Sequence, residues 1–218
     1  MQAERVFVVD DHPLVRQGIA TILAGIPDLE FVGEASSVQE ALRLIGQCSP
    51  DVAVVDLHLG DDSGLGLIKD IRIRFPEVHI LVLSMRDEGF YAERVLRAGA
   101  RGYVTKEAGS EKIIEGIRKV LARQIYVSED MATRVMSRMV GGGDGQEASP
   151  MDALTDRELE IFEWIGRGIP SSDIAAKLHI SPKTVDSHRE SIKQKLGLKT
   201  AAELVRQAIE WVRGDSSI

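Results

Sequence analysis

The sequence predicts an α/β fold, a doubly wound five-stranded parallel sheet, followed by a small all-α domain of four helices. Three observations carry this expectation. Five short β-type runs alternate with stretches of helical apolar period over residues 1–125. A glycine-rich segment, GGGDGQEASP (141–150), then interrupts the pattern. From Leu154 onward only helical periodicity remains.

The first run, RVFVV (5–9), is apolar without alternation, as expected of a strand covered on both faces. LEFVGEA (29–35), DVAVVDL (51–57), HILVLS (79–84) and RGYVT (101–105) follow it. The intervening and following segments 12–24, 37–47, 63–74, 88–98 and 110–123 are amphipathic. Strand–helix repetition implies parallel pairing through right-handed crossovers, with helices on both faces of the sheet. SEDMATRVMSRMV predicts one more short helix before the glycines. Consecutive glycines among small polar residues make a flexible tether. The expected organisation is therefore a first domain over 1–125, a linker over 126–150 and a second domain over 151–218. In the second domain, helices are expected near 156–167, 172–178, 182–196 and 201–212, with N-caps at Thr155, Ser171, Ser181 and Thr200. Glu158, three residues after Thr155, completes a capping box. The short connection HISP, between a short helix and a longer basic one, is a helix-turn-helix signal.

With 218 residues, 44% apolar and 28% charged, the chain can bury two small cores. No apolar run approaches the roughly 18 to 20 residues that a membrane span needs. The N-terminus carries no cleavable apolar leader, so a cytoplasmic protein without membrane contact is expected. Cys48 stands alone, cannot form an internal disulfide and is given no role. Residues 1–150 carry 17 Lys/Arg against 23 Asp/Glu, and residues 151–218 carry 10 against 11, so neither half is basic. Within 181–199, however, Lys183, Arg189, Lys193, Lys195 and Lys199 meet only Asp186 and Glu190. Any affinity for nucleic acid must be focused there.

VFVVDDH (6–12) runs a buried strand straight into two adjacent carboxylates. In the flavodoxin-like strand order 2-1-3-4-5, five side chains converge at the carboxyl edge of the sheet. These are Asp10 and Asp11 after the first strand, Asp56 at the end of the third, Ser84 at the end of the fourth and Lys106 after the fifth. Carboxylates crowded this closely hold a proton or recruit a cation. Oxygen donors with open positions suit Mg2+. Asp56, at the centre, can act as a nucleophile toward a phosphoryl group. The metal, the Ser84 hydroxyl and Lys106 would then stabilise the equatorial oxygens. Taken singly, each of these residues is also explained as a turn former, a helix cap or a solvated charge. It is the conjunction of five that carries the reading.

VFVVDDHPLVRQGI, DVAVVDLHLGDDSGLGLIKDIR, ILVLSM and GARGYVTKEA resemble the receiver domain of two-component response regulators. Residues 154–212, beginning LTDRELEIFEWIGRGIPSSDIAAKLHISPKTVDSHRES, resemble a LuxR-type helix-turn-helix. The combination is similar to regulators of the NarL/FixJ type and spans nearly the whole chain apart from the linker. This resemblance implies a transcriptional regulator, not an enzyme beyond the gain and loss of its own phosphoryl group. Its phosphoryl source would be a sensor histidine kinase and its acceptor Asp56. Asp11 and Asp56 would ligate Mg2+ directly, with the backbone carbonyl of His58, and Asp10 through water. Ser84 and Lys106 would contact the phosphoryl oxygens, and Tyr103 would be an aromatic switch that turns inward when Ser84 is drawn to phosphate. Two departures stand out. Gly60 occupies the position four residues after the acceptor where proline is usual, which loosens the loop. Glu107 follows Lys106 where many relatives have proline. His58, Met85 and Arg86 are the bulky side chains expected nearest the acceptor and are expected to set the lifetime of its phosphate.

In the third helix of the second domain, Lys183, Thr184, Ser187, His188, Lys193 and Lys195 are candidates for phosphate contacts on duplex DNA. The resemblance turns Asp186, Ser187 and Glu190 toward base edges, where a carboxylate can accept from cytosine amino groups. Val185 and Ile192 share helical spacing with Leu196 and are expected inside, while Trp164 and Trp211 are expected in a core or interface. One such domain makes few contacts, so a homodimer on two half-sites is expected after phosphorylation. The resemblance makes Leu204, Ala208 and Trp211 of the last helix the dimer contact; the alternative packs that stripe onto its own domain. An aspartyl phosphatase is disfavoured because His58 stands where such enzymes place a second Asp. A dinucleotide fold is disfavoured because DDHPLVRQG lacks the G-x-G-x-x-G glycines. The remaining rival is a receiver-based protein-interaction module without sequence-specific DNA binding, supported by the acidic Asp186 and Glu190.

Overall fold

Val6–Val9, Val52–Val55 and Ile80–Leu83 are buried without interruption, which is the signature of strands covered on both faces. In the computed structural model, which describes residues 3–60, 62–86, 88–139, 150–178 and 180–213, these runs form the middle of a parallel sheet. Contacts divide the chain into two units, Met1–Gly143 and Asp144–Ile218. Of the glycine-rich tether expected over 141–150, residues 141–149 lie outside the described residues, as does His179 of the HISP turn.

The first unit runs β1 (Glu4–Val9), α1 (Pro13–Ala24), β2 (Leu29–Ala35), α2 (Val38–Cys48), β3 (Val52–Val55), β4 (His58–Leu59), β5 (Asp62–Ser63), α3 (Gly64–Arg74), β6 (His79–Ser84), α4 (Glu88–Ala98), β7 (Gly102–Thr105), α5 (Gly109–Leu121) and α6 (Glu129–Met139). The main sheet has the order β2-β1-β3-β6-β7, with every pair parallel. Counted without the small hairpin β4–β5, this is the expected order 2-1-3-4-5. That hairpin was not expected, because two-residue strands carry no readable period. Ile19 and Leu23 of α1, with Ile113, Ile117 and Val120 of α5, pack on Val6, Val8, Val52, Val54, Leu81 and Leu83. Ala41, Ile45, Leu67, Ile68, Ile71, Ala92 and Val95, from α2, α3 and α4, are also buried. Beyond α5 the chain returns to the sheet. Tyr126 N–H donates to Arg101 O at 2.9 Å and accepts Tyr103 N–H on its own carbonyl at 2.8 Å. Then α6 lies against α4, with Met131 buried and Ser128 N–H donating to Glu88 Oε1 at 2.8 Å.

The second unit holds a 3-10 turn (Pro150–Ala153), α7 (Asp156–Gly166), α8 (Ser171–Lys177), α9 (Pro182–Lys195) and α10 (Ala201–Arg213). Thr155 and Glu158 form the expected capping box, Ser181 accepts Thr184 N–H, and Thr200 accepts Glu203 N–H. Ser171 is not a cap. Pro170, in extended conformation, precedes the helix, and its carbonyl accepts from Asp173 and Ile174, which makes Ser171 the first helical residue. Val185 and Ile192 are fully buried, as their spacing required. Leu204 and Ala208 are fully buried too, and α10 makes its main contact with α7. Of the stripe expected at a dimer contact, Leu204 and Ala208 thus follow the alternative and pack inside their own domain. The crossing is close, because a Cβ on Gly166 would stand 2.2 Å from Ala208 O. Trp164 is buried, with the charges of Arg167 and Lys177 4.8 and 5.3 Å from its ring centroid, and Trp211 is half-buried. Among the described residues no helix is long and apolar enough to cross a membrane.

Candidate functional site

Four neighbouring strands end in side chains that carry chemistry: Asp10 after β1, Asp56 after β3, Ser84 at the end of β6 and Lys106 after β7. The register pairs Val9 with Val55, Val55 with Val82 and Ser84 with Thr105, so β1 and β3 end level with each other and β6 and β7 run two residues past them. Asp56 N–H donates to Val9 O at 2.8 Å and Lys106 N–H to Ser84 O at 2.9 Å, which locks that edge. Asp10 and Asp56 are 2% and 3% exposed. Lys106 Nζ lies 2.6 Å from both Asp10 Oδ2 and Asp56 Oδ2. Burial alone would lower the pKa of this ammonium, but its hydrogen bonds to Asp10 and Asp56 outweigh burial and raise it above 10.5.

Asp11 is held from the other side. Gly60 N–H donates to Asp11 Oδ2 at 3.0 Å, and Gly60 has φ +60° at the turn of the β4–β5 hairpin. A proline could neither donate nor adopt that φ. The departure at this position thus has a structural use: it lets the backbone grip a carboxylate. Gly64 is equally constrained, since a Cβ there would stand 2.2 Å from Asp56 O. The start of α3 therefore packs directly on the main chain that presents Asp56.

Asp10 and Asp56 share one ammonium and Asp11 stands beside them without it, which leaves an excess of negative charge. Asp56 Oδ1 is buried and has no hydrogen-bond partner among the described residues. An orphaned anionic oxygen beside further carboxylates fits a divalent cation that accepts oxygen donors, and Mg2+ is such an ion. His58, whose carbonyl the resemblance added to this set, sits half-buried at the start of β4. One residue of the cluster was missed by sequence reasoning. His12 Nδ1 lies 2.6 Å from Asp11 Oδ1 and 3.2 Å from Asp10 Oδ1. Its only sequence signal was adjacency to the two aspartates.

Ser84 and Tyr103 are joined through one residue. Arg86 N–H donates to Ser84 Oγ at 3.3 Å, and Tyr103 OH donates to Arg86 O at 2.8 Å. The Tyr103 ring is buried in this arrangement. Met85, beside them, is exposed.

Exposure alternates along α9. Lys183, Asp186, Ser187 and Glu190 are exposed, while Thr184, His188 and Lys193 are half-buried. Thr184 Oγ1 lies 2.8 Å from the Ser181 hydroxyl, Ser187 Oγ donates to Lys183 O at 3.0 Å, and Lys193 pairs with Glu190 at 2.9 Å. Lys195 turns back to Glu158 Oε2 at 2.6 Å. Glu158 is 4% exposed and also accepts from Thr155 N–H and Oγ1 and from Ser191 Oγ. Burial opposes its ionisation, yet the bonds from Lys195, Ser191 and Thr155 prevail and pull its pKa down to about 2. Glu158 thereby braces α9 against the start of α7.

Fold and site together define a receiver domain joined in one chain to a helix-turn-helix unit. Residues 6–118 match the family described as the response regulator receiver domain, and residues 152–208 match the bacterial regulatory proteins of the luxR family. The oxygen regulatory protein NreC of Staphylococcus carnosus (strain TM300) is 38% identical over 211 residues, covering 94% of this chain and 97% of that protein. NreC of Staphylococcus aureus is 37% identical over 210 residues. Among solved structures, the Salmonella typhimurium RcsB response regulator superposes with a TM-score of 0.76 at 25% identity, covering 97% of this chain and 99% of RcsB. RcsB bound to promoter rprA in the presence of the phosphomimetic BeF3- gives 0.74 at 26% identity, covering 95% and 99%. The chain belongs to the response regulators that couple a receiver domain to a LuxR-family DNA-binding domain.

Proposed function

We propose that Asp56 accepts a phosphoryl group from a sensor histidine kinase, and that its phosphorylation controls DNA binding by the second unit. The observation that carries this reading is the buried Asp56 Oδ1, without a hydrogen-bond partner among the described residues, in a cluster with Asp10, Asp11 and Lys106. Transfer forms a bond from an Asp56 oxygen to phosphorus as the bond to the donor nitrogen breaks. Lys106 sits where it can release its bond to Asp56 Oδ2 and follow the incoming charge. The Ser84 hydroxyl, turning toward the phosphoryl oxygens, leaves Arg86 N–H, and Tyr103 senses the shift through Arg86 O. Asp11, Asp56 and the His58 carbonyl would hold Mg2+, with Asp10 acting through water, and the bound ion would neutralise charge on the transferring group. His58 and Arg86 set the lifetime of the product by limiting water. Catalysis is confined to this self-modification.

In this reading residues 1–125 are the receiver, 126–150 the linker and 151–218 the DNA-binding domain, which acts in the cytoplasm. Lys183, Thr184, Ser187, His188, Lys193 and Lys195 meet phosphates, and Asp186, Ser187 and Glu190 face bases, in a homodimer formed after phosphorylation. RcsB, which is similar over nearly the full chain, is described as dimers bound to DNA. Shifting a two-state equilibrium from about 1:99 to 99:1 takes about 5.5 kcal/mol, within the range of several charge-assisted hydrogen bonds plus a metal contact. The test is treatment of the full chain with a small-molecule phosphodonor, with and without Mg2+, followed by intact mass and by salt-dependent binding to duplex DNA. Expected are one added phosphoryl group that needs Mg2+ and is lost in Asp56→Asn, and tighter DNA binding in step with it. No modification of Asp56 would sink the receiver half; modification with no salt-dependent DNA binding would favour the interaction-module reading.

A further inference from the structure

Lys106 takes the Oδ2 atoms of Asp10 and Asp56 from one side of the cluster. On the other side, among the described residues, Asp56 Oδ1 is buried without a hydrogen-bond partner and Asp11 Oδ1 is buried without a hydrogen bond. Into this second group comes the His12 ring, with Nδ1 2.6 Å from Asp11 Oδ1 and 3.2 Å from Asp10 Oδ1. The 2.6 Å approach to Asp11 lacks hydrogen-bond geometry, although the one to Asp10 has it. Donors from all four residues lie within 4.8 Å of one another. Adjacent ligands of an octahedral ion with bonds of about 2.1 Å stand about 3 Å apart, so the imidazole already sits at ligand-edge distance from two carboxylate oxygens.

We infer that His12 Nδ1 is a ligand of the divalent site, and that it makes the pocket prefer a nitrogen-accepting first-row cation, Mn2+, over Mg2+. This rests on the reading of the pocket as a divalent cation site. All-oxygen sets with open positions suit Mg2+ and Mn2+ alike, whereas an imidazole nitrogen is a better ligand for first-row cations than for Mg2+, Mn2+ being the weakest nitrogen acceptor of that row. The ring can meet the demand: His12 is 61% exposed, so most of its surface is open to solvent and small adjustments of the ring are little restricted. Its backbone is meanwhile anchored, because His12 N–H donates to Asp10 Oδ1 at 2.8 Å and Pro13 starts α1 immediately after it. His12 is thus the residue of the pocket that discriminates between cations.

The experiment is titration of the full-length protein with Mg2+ and, separately, with Mn2+ by calorimetry, together with pulsed electron paramagnetic resonance of the bound Mn2+. Wild type, His12→Ala, His12→Gln and Asp11→Asn are compared. Expected are Mn2+ binding tighter than Mg2+ and a nitrogen coupling from a directly bound imidazole in wild type. In both His12 variants the nitrogen signal disappears, and Mn2+ affinity falls on the order of tenfold while Mg2+ affinity changes far less. Asp11→Asn weakens both ions. Binding of both ions to wild type without nitrogen coupling, or with the same Mn2+ to Mg2+ ratio in the His12 variants, overturns the role of His12 and leaves the metal site standing. If wild type binds neither ion, the site itself falls, and this inference with it.

Discussion

Replacing Glu158 with Gln tests whether one buried carboxylate holds the recognition helix in place. The glutamate is 4% exposed and accepts four hydrogen bonds, one of them from Lys195 at 2.6 Å. Its pKa is about 2 in the folded protein against an ordinary 4.5. A depression of that size corresponds to roughly 3 kcal/mol of folding stability, at about 1.36 kcal/mol per pKa unit. The figure is an upper bound, because Lys195 is 33% exposed and water screens part of the attraction. Since the folded pKa is lowered, the contribution is complete above pH 4.5 and drains away as pH falls toward 2. Both tryptophans, Trp164 and Trp211, lie in the second unit, so their fluorescence reports its unfolding in the full chain. At pH 7, Glu158→Gln should lower stability by about 2 to 3 kcal/mol, moving the urea midpoint by roughly 1 to 2 M. Near pH 2 the variant and the wild type should converge. A variant within about 0.5 kcal/mol of wild type at pH 7, or a difference that ignores pH, would refute the brace.

Lys106→Met leaves Asp10 and Asp56 buried without their ammonium, and should cost the first unit roughly 3 kcal/mol in thermal unfolding, partly recovered by saturating divalent cation. Because the Lys106 pKa is raised, its contribution is complete below pH 10.5 and is lost above it, so wild type should weaken in alkali while Lys106→Met does not. Gly64→Ala sets a methyl group 2.2 Å from Asp56 O, and should both lower the melting temperature and slow phosphorylation of Asp56 by a small-molecule phosphodonor. Gly166→Ala forces α7 and α10 apart, costing about 1 to 3 kcal/mol by tryptophan fluorescence while phosphorylation of the first unit is unaffected.

The parallel sheet was legible because its strands are buried on both faces, and unbroken runs such as VFVV and VAVV leave little else to be. The acidic cluster was legible for the opposite reason: charges placed directly after such runs are out of character and demand a counterpart. What stayed hidden depended on geometry that no spacing encodes. The β4–β5 hairpin is too short for a period, so Gly60 read as a loosened loop when its N–H in fact binds Asp11. His12 could be read only once its ring was seen among the carboxylates. The stripe of Leu204 and Ala208 announced burial but not its partner, which proved to be α7. Ser171 looked like a cap because Ser is a good one, yet the fixed backbone of Pro170 had already taken that place.

Tyr126 seals the outer margin of β7 with main-chain bonds to Arg101 and Tyr103. A fragment that stops at residue 125 would leave those two backbone groups bare along a strand, and bare strand margins template pairing between molecules. Fragments of the first unit cut there should self-associate, whereas those carried through Met139 keep the margin sealed by their own chain.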